Sequence, residues 1–443
     1  MRINCRLACF SLLFSLGCRA HATGGNVLVI VADDMGIDKF AAYDVHPEPA
    51  PTPVLDELAS QGVLFRNAYS YPTCSPSRAC ALTGRYGRRN GAGQIISGGR
   101  YEVPLGEVFL PELLNLIGYS TAAFGKWHMS ARDSSRRHEH PNLQGFDHFS
   151  GSMQNMMGNQ NAYAAWTKVV DGKVVDDEYG VYATTDTTND AIDFVTSTEE
   201  PWFVWLAYNA PHAEYHVPPA HLHTDDTLTE DSPIPDMVDA MIESMDTEIG
   251  RLLAEIDLEE TTVFFFADNG TARDAVRLPE YSPRAKGTMY EGGVRVPMFV
   301  AGRAVSEPGE SDALIHILDT FATVLDIAGL DLEDVMDANA IDSVSLMPYF
   351  AEPAAPFSHR QTVYTEAFKS NGGPPYREDA RMIRDHRWKL IEEDGKDDEF
   401  YDLLGLGEEV DLRQREMTDE QLSAYEALKS AMRDTLSELK FDY

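Results

Sequence analysis

Cysteine is scarce in this chain: five in 443 residues, with Cys5, Cys9 and Cys18 all inside the first 22. Without that leader only Cys74 and Cys80 remain, too few for a disulfide-built scaffold. Positive charge is scarce as well. The 36 Lys and Arg face 72 Asp and Glu, a net charge of −36, which argues against nucleic acid or an anionic membrane surface as partner. Past the leader no apolar run approaches the ~20 residues of a membrane span, and there is no internal repeat or low-complexity tract. One absence is local. No Asp or Glu occurs from Asn67 to Tyr101, while Arg78, Arg85, Arg88, Arg89 and Arg100 all do. An acidic chain that clears one stretch of negative charge has room there for an anion. The competing reading is that these arginines pair with acids from elsewhere. Overall acidity does not bar an anionic substrate in strong salt, because at seawater strength the screening length falls to about 3–5 Å.

The leader reads as a secretory signal over residues 1–22. Arg2 and Arg6 precede the apolar run Leu7 to Leu16, and Ala20-His21-Ala22 fits a small-x-small cleavage site. The expectation is an exported protein, periplasmic or extracellular. A lipid anchor at Cys18 fits poorly, because Ser15-Leu16-Gly17 matches that pattern badly. A hydrophobic content of 43% is ample for a core.

Asn26 to Ala32 (NVLVIVA) is a β-branched run expected of a central strand buried on both faces. It ends in Asp33-Asp34, hard oxygen ligands suited to Ca²⁺ or Mg²⁺, though Asp also caps helices. Thr262 to Ala267 (TVFFFA) is a second such strand and ends in Asp268-Asn269-Gly270. Thr121 to Gly125 delivers Lys126-Trp127-His128, and Trp202 to Tyr208 delivers Asn209-Ala210-Pro211-His212. In a parallel sheet the groups just past these strand ends share one rim. Helices are predicted at Val54–Gln61, Leu110–Leu116, Thr188–Thr196 and Met237–Ile256. Ser130 to Asp177 reads as irregular, carrying Arg132, Arg136, Arg137, His138 and His140, either as a wall of the cleft or as a lid. A strand is predicted at Val296–Val300. Beyond Pro353, strands are predicted at Thr362–Ala367, Ala380–Glu392 and Glu399–Leu403. A helix follows over Asp419–Leu439, with Thr418 as N-cap and Gln421 closing a capping box. The implied domains are a catalytic one over 23–353 and a small antiparallel α+β one over 354–443.

The stretch Thr73-Cys74-Ser75-Pro76-Ser77-Arg78, continuing to Leu82-Thr83-Gly84-Arg85, reads as a helix entered at Cys74 and capped at Gly84. A sulfur at a helix N-terminus with Arg78 one turn on is a place to bind and attack an oxyanion. The bland alternative is a buried small hydrophobe.

Cys-x-Pro-Ser-Arg followed by Leu-Thr-Gly resembles the defining motif of the type I sulfatases, in the alkaline phosphatase superfamily. The resemblance implies the fold of that superfamily: a large, mostly parallel sheet sandwiched by helices, with a small C-terminal subdomain of antiparallel sheet plus helix. In that family the motif cysteine is oxidised to formylglycine, whose hydrated aldehyde is the nucleophile. It implies that Cys74 is so modified by a maturing enzyme. It further implies that Asp33, Asp34, Cys74, Asp268 and Asn269 bind one Ca²⁺. Arg78, Lys126 and Lys286, the last from Lys286-Gly287-Thr288, would bind sulfate. Asp268 would activate the nucleophile, His212 would protonate the leaving oxygen and His128 would take the proton that frees sulfate. The implied substrate is a sulfated carbohydrate, with aryl sulfates as artificial ones. A phosphatase, phosphodiesterase or phosphonate hydrolase would want a second metal site. A glycan-binding relative without activity would follow if Cys74 stayed unmodified.

Overall fold

The run NVLVIVA forms the central strand β1 (Asn26–Ala32), every residue of it buried. The computed structural model describes residues 24–99, 101–158, 161–199, 201–278, 282–337, 340–356, 360–441 and 443. The leader with its three cysteines, and Arg100, lie outside the described residues.

The other strands of the large sheet are β2 (Val63–Tyr69), β3 (Ser120–Lys126), β4 (His148–Ser152), β5 (Trp166–Val170), β6 (Lys173–Tyr179), β7 (Trp202–Ala207), β8 (Thr261–Ala267), β9 (Met298–Gly302) and β10 (Gly309–His316). The sheet has 10 strands in the order β10-β2-β9-β8-β1-β7-β3-β4-β5-β6. Its centre, β8-β1-β7-β3-β4, is parallel throughout. β9 is inserted antiparallel between β8 and β2, and the β5–β6 hairpin closes the far edge antiparallel. The parallel strands are apolar on both faces because helices lie over them. α1 (Pro53–Ser60), α4 (Ala183–Ser197) and α5 (Ile234–Leu253) pack together, as do α2 (Cys74–Thr83), α3 (Leu110–Asn115) and α6 (Asp319–Ile327).

A second sheet of 4 antiparallel strands, β11 (Val363–Lys369), β12 (Arg377–Arg384), β13 (Trp388–Glu393) and β14 (Glu399–Asp402), carries α7 (Asp419–Glu438). The Thr418 hydroxyl accepts from Gln421 N at 3.3 Å and the Gln421 side chain answers on Thr418 N at 3.0 Å, closing the predicted capping box. A buried cluster joins this sheet to the large one. Lys389 Nζ lies 2.9 Å from Glu291 and 2.8 Å from Glu408, Tyr69 Oη donates to Glu291 at 2.8 Å, and Arg384 donates to Tyr69 Oη at 2.5 Å.

Three expectations are corrected. Residues 130–177 are not irregular throughout: they hold β4, β5 and most of β6. Hydrogen bonding to β3 orders β4, where Gly151 passes so close to Gly125 that a Cβ would lie 1.9 Å from its carbonyl oxygen. The single strand predicted over Ala380–Glu392 is two, because the Asp385 carboxylate accepts from Arg387 N at 2.8 Å and Trp388 N at 2.6 Å and turns the chain. Strands β2 and β10, paired in parallel, were not anticipated.

Candidate active site

α2 begins at Cys74. Pro76 occupies its first turn, and Gly84 (φ 65°) caps it by donating to Cys80 O at 2.8 Å, against Phe321 where a Cβ would not fit. The N-terminus of α2 thus faces the carboxyl ends of β1, β3, β7 and β8, and the predicted groups gather there. Cys74 Sγ is 3.3 Å from Asp33 Oδ1, 4.0 Å from Asp34 Oδ1 and 3.7 Å from Lys286 Nζ. Arg78 donates through Nε and Nη2 to Asp268 Oδ2 at 3.0 and 2.8 Å and through Nη1 to the Lys126 carbonyl at 2.8 Å. Lys126 Nζ pairs with Asp33 Oδ2, and Lys286 Nζ lies 2.6 Å from Asp34 Oδ2. The Lys286 segment is pinned at two points, Lys286 N donating to Thr271 O and Gly287 N to Pro72 O.

Two of these residues, Asp34 (φ 73°) and His128 (φ 62°), hold left-handed backbone, a strained conformation for side-chain-bearing residues that clusters at functional sites. Neither Asp33 nor Asp268 has any exposed surface. Burial would discharge Asp33, but Lys126, His212, Arg78 and Lys286 hold its pKa well below the usual carboxylate value. Asp268 goes the other way, raised by burial and by the charge of Asp33 against the pull of Arg78. Burial, then Asp268 and Asp33, raises the Cys74 thiol, so as a cysteine this residue is no thiolate. His128 is driven well below its ordinary value by burial and by the charges of Lys126 and Arg78. Burial lowers His212 too, opposed by Asp34 and Asp33. Its Nδ1 is bonded to Ala213 O at 2.7 Å, which leaves Nε2 facing Asp34 at 3.8 Å.

The donor set fits a hard divalent cation. Ligand atoms of Asp33, Asp34, Cys74 and His212 lie within 4.8 Å of one another. Asn269 donates from Nδ2 to Asp34 Oδ1 at 2.8 Å, and its own Oδ1 is buried with no hydrogen-bond donor, an oxygen that a cation would satisfy. Asp268 Oδ1 accepts from Asp34 N at 3.3 Å, beside that oxygen.

All the predicted site residues therefore meet at one rim. The other described arginines of the acid-free stretch do not: Arg85 pairs with Glu107 at 2.6 Å, Arg88 with Glu366 at 2.7 Å and Asp379 at 2.6 Å, and Arg89 with Asp342 at 3.0 Å. They are struts rather than anion ligands. The sequence reading missed Tyr163, whose hydroxyl donates to the carbonyls of Asn209 at 2.6 Å and His212 at 2.8 Å and so fixes the His212 turn. It also missed Asn209, which accepts from Ser152 Oγ at 3.1 Å. A tyrosine in a segment read as irregular gives no periodic signal; Asn209 was visible only as a strand-end polar residue.

This scaffold and site define an α/β protein whose strand ends gather carboxylates and cations at the entrance of one helix. The sulfatase family model matches residues 25–330, and the chain belongs to the sulfatase family. It is 32% identical over 362 residues to human N-acetylgalactosamine-6-sulfatase, an alignment covering 73% of this chain and 65% of that one. The chain spans 65–66% of the length of these curated relatives, among them a sulfatase of Escherichia coli K12 known as YdeN. Among solved structures, its fold is similar to that of Ps i-CgsB in complex with k-i-k-neocarrahexaose (TM-score 0.77, 24% identity, covering 94% of this chain and 93% of that one). It is also similar to BT4656 in complex with D-glucosamine-2-N,6-O-disulfate (TM-score 0.72, 21% identity, covering 94% and 98%). No helix among the described residues is long and apolar enough to cross a membrane.

Proposed function

We propose that this chain is an exported sulfatase that hydrolyses sulfate monoesters of a carbohydrate. The observation that carries it is the meeting of Cys74, Arg78, Lys126 and Lys286 with the Asp33–Asp34 and Asp268–Asn269 pairs around one small volume. Relatives named for sulfated sugars and neighbours solved with them support the carbohydrate reading.

Asp33, Asp34, Asp268, Asn269 and residue 74 would hold one Ca²⁺, which polarises a sulfate oxygen, and conversion of Cys74 to formylglycine would supply a hydrated aldehyde as nucleophile, its oxygens standing where Sγ now lies. Arg78, Lys126 and Lys286 bring three cationic groups to bear on the sulfate oxygens as charge builds in the transition state, with water largely excluded. Asp268, with its raised affinity for a proton, takes one from the attacking hydroxyl. His212 presents Nε2 to the pocket and protonates the leaving alcohol oxygen there; burial lowers its hold on a proton, and Asp34 and Asp33 partly offset that. His128, kept neutral by its surroundings, is the base that lets sulfate depart. Two histidines in two environments take two roles.

A two-metal phosphoryl-transfer site would need another set of acidic or imidazole ligands, and among the described residues one such group stands out. The test is release of sulfate but not phosphate from nitrophenyl esters by protein co-expressed with a maturing enzyme. Peptide mass across residue 74 should fall by about 18 Da from the thiol form, or show the hydrate. Equal turnover of the phosphate ester, or a fully active free thiol, would overturn the reading.

A further inference from the structure

The loop that leaves the site after His128 carries positive charge that no carboxylate among the described residues pairs with. Arg132 and Arg136 are exposed and Arg137 is half-buried. Arg137 Nε is sealed from solvent without any acceptor. Among the described residues none of the three pairs with a carboxylate, and the loop's own acids, Asp133 and Glu139, are exposed and form no ion pair with them. The contrast with Arg85, Arg88 and Arg89, each locked to an acid, is sharp. Burial and then the nearby charge of Arg132 pull the Arg137 pKa down, so the two guanidinium groups repel with no carboxylate to offset them.

This loop is wired to the catalytic rim. His128 N donates to Met153 O at 3.1 Å. The next residue, Gln154, receives a long contact of 3.4 Å from Arg132 and donates to Ser97 O at 3.0 Å, beyond the helix that holds Cys74. A cavity of about 330 Å³ opens here, lined by Arg137, His138, Gln154, Asn155 and Trp166. Asn155 Oδ1 is buried with no donor, the complement of a sugar hydroxyl. The volume is within the range of small-molecule sites, about 300–1,000 Å³. Paired arginine forks suit planar or tetrahedral oxyanions.

We propose that Arg132 and Arg137, with Gln154 and Asn155, form a second anion subsite that binds a further sulfate or carboxylate on the sugar next to the scissile ester. The preferred substrate is then a polyanionic glycan rather than a singly sulfated one. This also explains how a chain of net charge −36 takes in such a polymer: the repulsion is answered locally at the mouth. The inference rests on the sulfatase reading and is testable apart from it.

Three disaccharides on one backbone serve as probes: a single sulfate, a second sulfate on the neighbouring sugar, and a uronic acid as that neighbour. For the wild-type enzyme kcat/KM should be about tenfold higher on one or both doubly charged probes, through KM, with the advantage shrinking as salt is raised. In Arg132→Gln/Arg137→Gln that preference should fall to near unity while nitrophenyl sulfate turnover and Tm are unchanged, because no structural pair is lost. No preference in the wild type, or the same preference in the double variant, overturns the subsite. Should the wild type release sulfate from nothing, the sulfatase reading fails, and calorimetric titration with the doubly charged disaccharides decides the subsite separately. About tenfold weaker binding to the double variant upholds it, and equal binding removes it.

Discussion

Two buried clusters of acids and bases in this molecule are made of the same parts and do opposite things. At the junction of the two sheets, Glu291 and Glu408 enclose Lys389, with Arg384 and Tyr69 completing the contacts. Opposite charges hold Glu291 down to about 2 against the penalty of burial. At the rim of the large sheet, Asp33, Asp34 and Asp268 face Arg78, Lys126 and Lys286, yet Asp268 is pushed up, Asn269 Oδ1 has no donor and the site borders a thiol. One cluster is closed upon itself and acts as a staple. The other has oxygens to spare. Equal counts of charge do not make a site; unmet valence at a strand end does.

Substitutions can break this contrast. The largest effect is expected for Cys74→Ala, which should abolish sulfate release, by about 10⁴-fold or more, with little change in Tm. A variant that kept substantial turnover would show that residue 74 is not the nucleophile position. Next, chelation should cost on the order of 10²-fold or more in turnover and lower Tm, with Ca²⁺ restoring both. The carboxylates of the staple are already paired with Lys389, so Glu291→Gln should lose stability without altering the calcium dependence of what remains folded. His212→Ala should cost roughly 10²–10⁴-fold on a sugar sulfate but distinctly less on nitrophenyl sulfate, whose leaving group needs no proton. Equal losses on both would remove His212 from the acid role.

The smallest effect on catalysis and a clear one on stability is expected for Glu291→Gln, about 3–5 kcal/mol by denaturant unfolding, because Lys389, left with Glu408 alone, and Arg384 both lose a buried counter-charge. The pH dependence has a definite sign. The folded-state pKa of Glu291 lies below its ordinary 4.5, so its contribution is fully present above that value and is lost as pH falls toward about 2. Wild-type stability should drop more steeply than the variant's over that window; parallel curves would dismiss the staple.

Much of this was written in plain residue patterns. The strand Asn26–Ala32 matches its predicted bounds because apolar β-branched runs have few alternatives, and the helix after Thr418 declared itself by its capping box. The Asp33–Asp34 and Asp268–Asn269 pairs were visible as oxygen-bearing side chains at strand ends. What sequence could not give was partnership. For Arg85, Arg88 and Arg89 the sequence left anion binding and pairing with distant acids both open, and only the fold brings acids from positions 107, 342, 366 and 379 beside them. The β5–β6 hairpin was illegible because an edge strand such as KVVDDEY is ordered by its neighbour rather than by its own alternation. Tyr163 earned its place only through two carbonyls far along the chain.

The sulfur at position 74 has no solvent-facing surface and lies beneath the first turn of a helix already sealed by its glycine. A modifying enzyme would find that sulfur out of reach in the folded chain, so the proposed conversion would have to precede the closing of this helix against the sheet, and the timetable of biosynthesis, not only the blueprint of the fold, would decide whether the polypeptide becomes a catalyst.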